Sequence, residues 1–232
     1  NTELCMTSNA PQIVQLFDTA SSTYTYVVYD AQSLEAVIID PVDTQLERDQ
    51  KTIQSLGLKL KWALETHAHA DHITSAGLLA EHLGAQTAAP EGCHIGTAAV
   101  QLIDGQMIPF GAFVLKAVHT PGHTGGSMSF YLNADQASHV FTGDTLLIGG
   151  CGRTDFQNGD ADALYKSVRE KLFSFPDEYL VYPGHDYKDR RVSSIAQEKK
   201  RNPRLGEGLT LAQFKEIMAN LNLLYPKFID FA

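Results

Sequence analysis

The sequence predicts an α/β domain (α+β in some classifications) built from two sheets flanked by helices, and three observations predict it. Tyrosines and β-branched residues crowd the first 40 positions in runs of strand length. Beyond them, short strand-like runs are interleaved with segments of helical period. The densest cluster of reactive side chains, Thr66-His67-Ala68-His69-Ala70-Asp71-His72, falls between a strand pattern and a helix pattern. Open α/β proteins place ligands at such carboxyl ends of strands.

In chain order, strands are expected at Ile13 to Phe17, Tyr24 to Tyr29 and Ala36 to Ile39, the last ended by Asp40-Pro41. A helix over Thr44 to Leu56 stops at Gly57. Leu60, Trp62 and Leu64 alternate with Lys61, Ala63 and Glu65, which reads as a strand with one buried face. Apolar residues at 73, 76, 79, 80 and 83 predict a helix over Ile73 to Leu83 that stops at Gly84. Further strands are expected at Gln106 to Pro109, Ala112 to Val118, Ser127 to Leu132, His139 to Thr142 and Tyr179 to Tyr182. Helices are expected at Ala161 to Phe173, Ser193 to Lys200 and Leu211 to Leu221. No repeat, low-complexity tract or linker divides the chain, so residues 1–232 read as one domain.

Composition narrows the function. The chain is 44% hydrophobic, enough for a sizeable core, and its net charge of −9 argues against a nucleic-acid partner. No apolar run reaches the length of a membrane span. Asn1 to Gln12 has neither basic residues nor an apolar core, unlike a signal peptide. Cys5, Cys93 and Cys151 are odd in number, and no pair has Cys-x-x-Cys spacing. Neither a disulfide framework nor a zinc ribbon is indicated, and a cytoplasmic, reducing compartment is the simplest.

The 66–72 cluster puts three imidazoles and a carboxylate into seven residues, in a chain with nine histidines. These side chains bind borderline divalent metals. His67 and His69, two apart, point the same way in an extended backbone, and Asp71 and His72 aim at a neighbouring point. One loop can therefore reach two adjacent metal positions. Three later turns each set a potential ligand beside a glycine: His119-Thr120-Pro121-Gly122-His123, Thr142-Gly143-Asp144 and Tyr182-Pro183-Gly184-His185. Glycine there lets the backbone approach a crowded centre.

Taken in order, these motifs resemble the metallo-β-lactamase superfamily, over nearly the whole chain. The resemblance implies an αββα sandwich. Its ligand pattern falls on His67, His69, Asp71, His72, His123, Asp144 and His185. In dinuclear members, His67, His69, His123 and Asp144 would hold one metal, and Asp71, His72, Asp144 and His185 the other. His119 reads instead as an imidazole bonded to its own turn, and His82, His94 and His139 as structural or surface residues. The stretch Leu147-Ile148-Gly149-Gly150-Cys151-Gly152-Arg153-Thr154-Asp155-Phe156, the ending Tyr182-Pro183-Gly184-His185-Asp186-Tyr187 and the run from Glu198 to Leu205, ahead of a helix ending in Asn220-Leu221-Asn222-Leu223, narrow the match to the persulfide dioxygenase group. The related glyoxalase II thioesterases share the Gly-Cys-Gly region but carry a longer C-terminal helical part than the 47 residues that follow His185 here.

That resemblance implies mononuclear non-haem Fe(II), one per chain, held by His67, His123 and Asp144 as the catalytic triad. Two histidines and one carboxylate leave adjacent positions open for dioxygen chemistry. His69, Asp71, His72 and His185 then serve either a second metal site or the shell that orients the ligands. The partners implied are glutathione persulfide and O₂, with the sulfane sulfur leaving as sulfite, and a homodimer is the candidate assembly. The anionic tail needs cations, and Arg153, Tyr187, Lys188, Arg190 and Arg191 are the candidate contacts. Lys199, Lys200, Arg201 and Arg204 read as helix surface, and Cys151 as a small buried residue. In a eukaryote the compartment would be the mitochondrial matrix. The main alternative is a dinuclear hydrolase of glutathione thioesters with two zinc or mixed metals. A non-catalytic metal- or thiol-binding module explains the complete ligand set less well.

Overall fold

The computed structural model describes residues 10–134 and 137–224. Cys5 and most of the Asn1 to Gln12 stretch lie outside them. The first sheet has six strands in the order of the chain: β1 (Gln12–Asp18), β2 (Thr23–Tyr29), β3 (Glu35–Ile39), β4 (Lys59–Leu64), β5 (Gln86–Pro90) and β6 (Val100–Leu102). Its first three strands are antiparallel and β3 to β6 run parallel. Helices α1 (Leu46–Ser55) and α2 (Ala76–Leu83) make the crossovers.

The second sheet contains β7 (Met107–Phe110), β8 (Phe113–His119), β9 (Met128–Ala134), β10 (Ala137–Gly143), β11 (Leu180–Pro183) and β12 (Ser193–Ser194). Only β10 and β11 pair in parallel. Helices α3 (Ala161–Lys166), α4 (Ile195–Arg201) and α5 (Leu211–Ala219) belong to this half.

Strand alternation creates the layers. Tyr26, Val28, Val37 and Ile39 point into a core shared with Phe130, Leu132 and Phe141 of the facing sheet. Their neighbours Val27, Ala36 and Ile38 point outward onto Ile53, Ala76 and Leu79 of the first helical layer. On the far side Val140 and Val181 pack against Leu164, Ile195 and Phe214. The result is the expected helix–sheet–sheet–helix sandwich.

Four departures from the sequence reading have local causes. The alternation in β4 does not share one face. The register skips Lys61 between Leu60 and Trp62, a bulge that sends Leu60 to the helices and Trp62 and Leu64 inward. Helix α2 starts at Ala76 rather than Ile73, because the Ile73 carbonyl accepts from Asp43 N at 2.8 Å and Thr74 bridges Val42. The helix expected through Phe173 gives way after Lys166 to a π turn and then a 3₁₀ turn. Strands β5 and β6 were not expected, since Gln-Thr-Ala-Ala-Pro lacks aromatic residues and strict alternation.

One buried charge outside the site makes a testable prediction. Asp49 of α1 is 0% exposed; Arg48 approaches only Oδ1, and among the described residues Oδ2 has no hydrogen-bond partner. Burial, only partly countered by Arg48, pushes the carboxyl up to about 6. A folded-state value above the unfolded one means stability present at low pH and lost as pH rises through the folded value. From the ordinary 3.8 to about 6, that loss is roughly 2–3 kcal/mol. Asp49→Asn should therefore flatten the melting temperature against pH between about pH 4 and 6. Melting curves with the same slope as wild type would contradict this.

Candidate metal centre

Strand directions gather the ligands. Because β8, β10 and β11 run the same way, the turn bearing His123, Asp144 and His185 emerge on one rim of the second sheet. Parallel β3 and β4 deliver Asp40 and His67 from the first sheet. The two rims are stitched by Tyr24 N to the Gly184 carbonyl and Met128 N to the Thr66 carbonyl, each 2.8 Å. Glycine is required where they meet. A Cβ on Gly184 would lie 2.7 Å from Asp144 Oδ1, and Gly143, at φ +51°, would press one against Thr66 Oγ1 at 2.7 Å.

His67, His123 and Asp144 converge. Their ligand atoms lie within 4.8 Å of one another. The Nε2 atoms of His67 and His123 stand 3.6 and 3.4 Å from Asp144 Oδ2. Both rings are oriented through Nδ1. His123 Nδ1 donates to the Arg153 carbonyl at 2.7 Å. The Thr66 hydroxyl donates to Asp40 Oδ2 at 2.7 Å, so it accepts from His67 Nδ1 at 2.8 Å. Each ring therefore presents the lone pair of Nε2 toward Asp144, which is the tautomer a metal requires. Burial, with His69 alongside, holds His67 well below its usual range and keeps it neutral. This donor set fits a borderline divalent cation.

His185 is placed differently. Its Nδ1 lies 2.6 Å from Asp144 Oδ1 and its Nε2 2.6 Å from Asp71 Oδ2. Burial opposes a charge on this ring, but Asp144 and Asp71 outweigh it and hold its pKa well above the usual value. Both nitrogens then donate, and His185 clamps the two carboxylates together. Asp144 is pushed well below the carboxylate range; burial would raise it, but the charged His185 beside it prevails.

His69 is also held by carboxylates, its Nε2 at 2.8 Å from Glu65 Oε2 and 3.0 Å from Asp40 Oδ1. Thr74 hydrogen-bonds the other Glu65 oxygen. His72 Nδ1 faces Asp71 Oδ1 at 3.1 Å. His69 Nδ1 and His72 Nε2 are buried without partners among the described residues, and His69, Asp71 and His72 form a further group of ligand atoms within 4.8 Å. In sequence Asp40 reads only as a strand end and Glu65 as a polar alternation, so neither is marked as part of the site. A carboxylate closing the strand adjacent to the metal loop was the available signal.

A cavity of about 470 Å³ opens beside this cluster. Arg153, Tyr187, Lys188 and Arg190 line it with Leu147 and Ile148. Tyr187 is 73% exposed, its ring parallel to that of His185 at 6.3 Å. Arg191 is not among the lining residues; its carbonyl accepts from Gln15 Nε2. Arg204, read from sequence as helix surface, does line the cavity, because α4 ends at Arg201 and the chain turns inward at buried Asn202. Cys151 is buried, and burial pushes its thiol up to about 11, so it is inert at neutral pH. His119 bonds its own turn, Nε2 to the Gly125 carbonyl at 3.1 Å.

Fold and ligand set together define the class: the chain belongs to the metallo-beta-lactamase superfamily, whose model matches residues 18–92 and 96–185. Within that class it falls with the persulfide dioxygenases. It is 47% identical over 226 residues to human persulfide dioxygenase ETHE1, mitochondrial, covering 97% of this chain and 87% of that one. The crystal structure of ETHE1 from Myxococcus xanthus superposes with a TM-score of 0.88 at 48% identity, covering 94% of this chain and 95% of that chain. A hydroxyacylglutathione hydrolase, GloC of Haemophilus influenzae, is more distant at 33% identity over 189 residues, 72% of this chain and 86% of its own. Among the described residues no helix is long and apolar enough to cross a membrane.

Proposed function

We propose that this chain is a persulfide dioxygenase that oxidises glutathione persulfide to sulfite with one Fe(II) per chain. The observation that carries the metal count is His185, whose two ring nitrogens both engage carboxylates while His67, His123 and Asp144 turn free donor atoms to one point. His67, His123 and Asp144 would hold the Fe(II), which would supply redox chemistry toward O₂. The balanced reaction consumes persulfide, O₂ and water and yields thiol, sulfite and two protons.

The chain's own residues set the stage. Arg153 and Thr66 fix the two imidazoles through Nδ1, and Asp40 fixes Thr66. His185 keeps Asp144 Oδ1 occupied, so that Oδ2 alone faces the imidazoles. Leu147, Ile148 and Phe156 give the cavity an apolar wall that limits water around the reacting sulfur. Lys188, which lines the cavity, supplies positive charge for an anionic tail, and Tyr187 a flat face beside His185. Arg153 lines the same wall. We place the enzyme in a reducing compartment, cytosolic or the mitochondrial matrix, where free thiols such as Cys93 and Cys151 persist.

A dinuclear thioesterase is the second reading, favoured by the unpartnered His69 Nδ1 and His72 Nε2. One experiment separates the two. Protein purified without added metal should carry about one iron per chain and no matching zinc, as a single two-histidine, one-carboxylate set requires. Given glutathione persulfide, it should consume O₂ and release sulfite in about equal amounts, as the balanced reaction requires. A hydrolase needs no O₂. Rapid thioester cleavage under argon, with no persulfide-dependent O₂ uptake by iron-loaded protein, would overturn the dioxygenase in favour of the hydrolase.

A further inference from the structure

The described cations that line the cavity are Arg153, Lys188, Arg190 and Arg204, and they differ in what already neutralises them. Arg153 engages Asp155 through Nε at 2.6 Å and Nη2 at 2.8 Å, and Nη1 donates to the Leu224 carbonyl at 2.5 Å. Arg190 engages Asp186 through Nε at 3.0 Å and Nη2 at 2.8 Å. Lys188 is exposed, on a flexible stem. Arg204 is half-buried, and no carboxylate among the described residues pairs with it. Among the described residues its side chain hydrogen-bonds from Nη1 alone, to the Cys151 carbonyl at 3.1 Å and the Cys151 sulfur at 3.8 Å. The Nε/Nη2 edge is left for another acceptor.

Arg204 is also held in place. Asn202 Oδ1 accepts from Arg204 N at 2.9 Å and Leu205 N at 3.0 Å. Asn202 Nδ2 donates to the Gly150 carbonyl at 3.1 Å and to Glu198 Oε1 at 3.0 Å. Glu198 Oε1 in turn accepts from Gly149 N at 2.8 Å, and Ser193 hydrogen-bonds its other oxygen. The same loop closes on the metal ligand, Gly152 N donating to the Asp144 carbonyl at 2.7 Å. Glu198, Asn202, Arg204 and the 149–152 loop thus form one hydrogen-bonded unit tied to Asp144.

We infer that Arg204 is the specificity-determining cation of the cavity, receiving a carboxylate of the substrate's tail on its Nε/Nη2 edge, with Glu198 and Asn202 as its positioning residues. The inference rests on the persulfide reading for the identity of the tail. A planar fork matches a carboxylate with two parallel hydrogen bonds. A chain of net charge −9 attracts such an anion only through a local, uncompensated cation. Fixing the carboxylate on the unit that ends at Asp144 also fixes the distance from tail to metal, so the sulfur arrives in register.

The test is calorimetric binding of glutathione and of its diethyl ester, which keeps the skeleton without the carboxylate charges. Arg204→Met should weaken glutathione about 10- to 100-fold while changing ester binding less than about threefold. Arg204→Lys should recover part of the loss, since it keeps charge but not the fork. KM for glutathione persulfide should rise in parallel with little change in kcat. Wild-type affinity for glutathione in Arg204→Met overturns the inference. So does an equal loss for both ligands, which would signal a structural role, or a wild-type protein that binds no glutathione. Absence of persulfide-dependent O₂ uptake in iron-loaded wild type would instead overturn the dioxygenase reading, while the calorimetry still decides Arg204.

Discussion

Replacing His67, His123 or Asp144 with alanine should strip the iron and abolish persulfide-dependent O₂ uptake, while His185→Ala should keep most of its iron. The asymmetry follows from geometry. Three ligands are the minimum that holds the ion on one face with adjacent positions open, so loss of any one leaves too few donors. His185 touches the centre only through Asp144 Oδ1 at 2.6 Å. Removing an outer hydrogen-bond partner of a ligand weakens metal affinity roughly 10- to 100-fold, which excess Fe(II) overcomes. Turnover of His185→Ala should still fall, because Asp144 and Asp71 lose the cation that separates them. Iron content per folded chain, measured after reconstitution, decides the matter. A His185→Ala protein that melts like wild type yet binds no iron would refute the mononuclear assignment, as would a His123→Ala protein that retains it.

Asp40→Ala should be the most damaging single change away from the ligands. Asp40 is buried and holds both histidine-bearing ends of the first loop. It accepts from Thr66 N and Thr66 Oγ1 and faces His69 Nε2. Burial alone would raise its pKa, but His69 leads the groups that bring it down to about 2. Deleting it leaves Glu65 as the sole carboxylate on His69 and an unpaired Thr66 amide in the interior. Removing one partner from a buried pair costs about 3–5 kcal/mol. For a chain of this size that is a fall of about 10 °C in melting temperature. Iron affinity should drop as well, because the Thr66 hydroxyl no longer fixes the His67 tautomer. Asp40→Asn, which keeps the shape, should recover part of the stability. An Asp40→Ala protein with wild-type melting and iron content would remove Asp40 from the support of the site.

The site was unevenly legible for identifiable reasons. Ligands that share a short loop, such as His67, His69, Asp71 and His72, announce themselves because a metal needs several donors within one ion's reach. His123, Asp144 and His185 are far apart in the chain but were marked by glycines, and at Gly143 and Gly184 the crowding behind that signal is visible. Arg204 had no such mark. A basic run after a helix reads as surface, and only the buried Asn202 turn brings Arg204 to the cavity. Arg191, one residue beyond Arg190, is carried past the lining for the opposite reason, its backbone being drawn to Gln15 of β1.

Residue identity and local spacing determined by themselves the layered α/β architecture, the ligand types and the order in which the chain supplies them, because periodicity and donor chemistry are short-range properties. The family resemblance added the assignment of each ligand. Tertiary structure alone decided which nitrogen of each imidazole is free. His67 and His123 direct Nε2 to Asp144 Oδ2, whereas both nitrogens of His185 are taken by Asp144 and Asp71. That distinction depends on carboxylates and carbonyls brought together from β3, β10 and the Arg153 loop, and residues joined only through strand pairing and packing leave no trace in the spacing of the sequence.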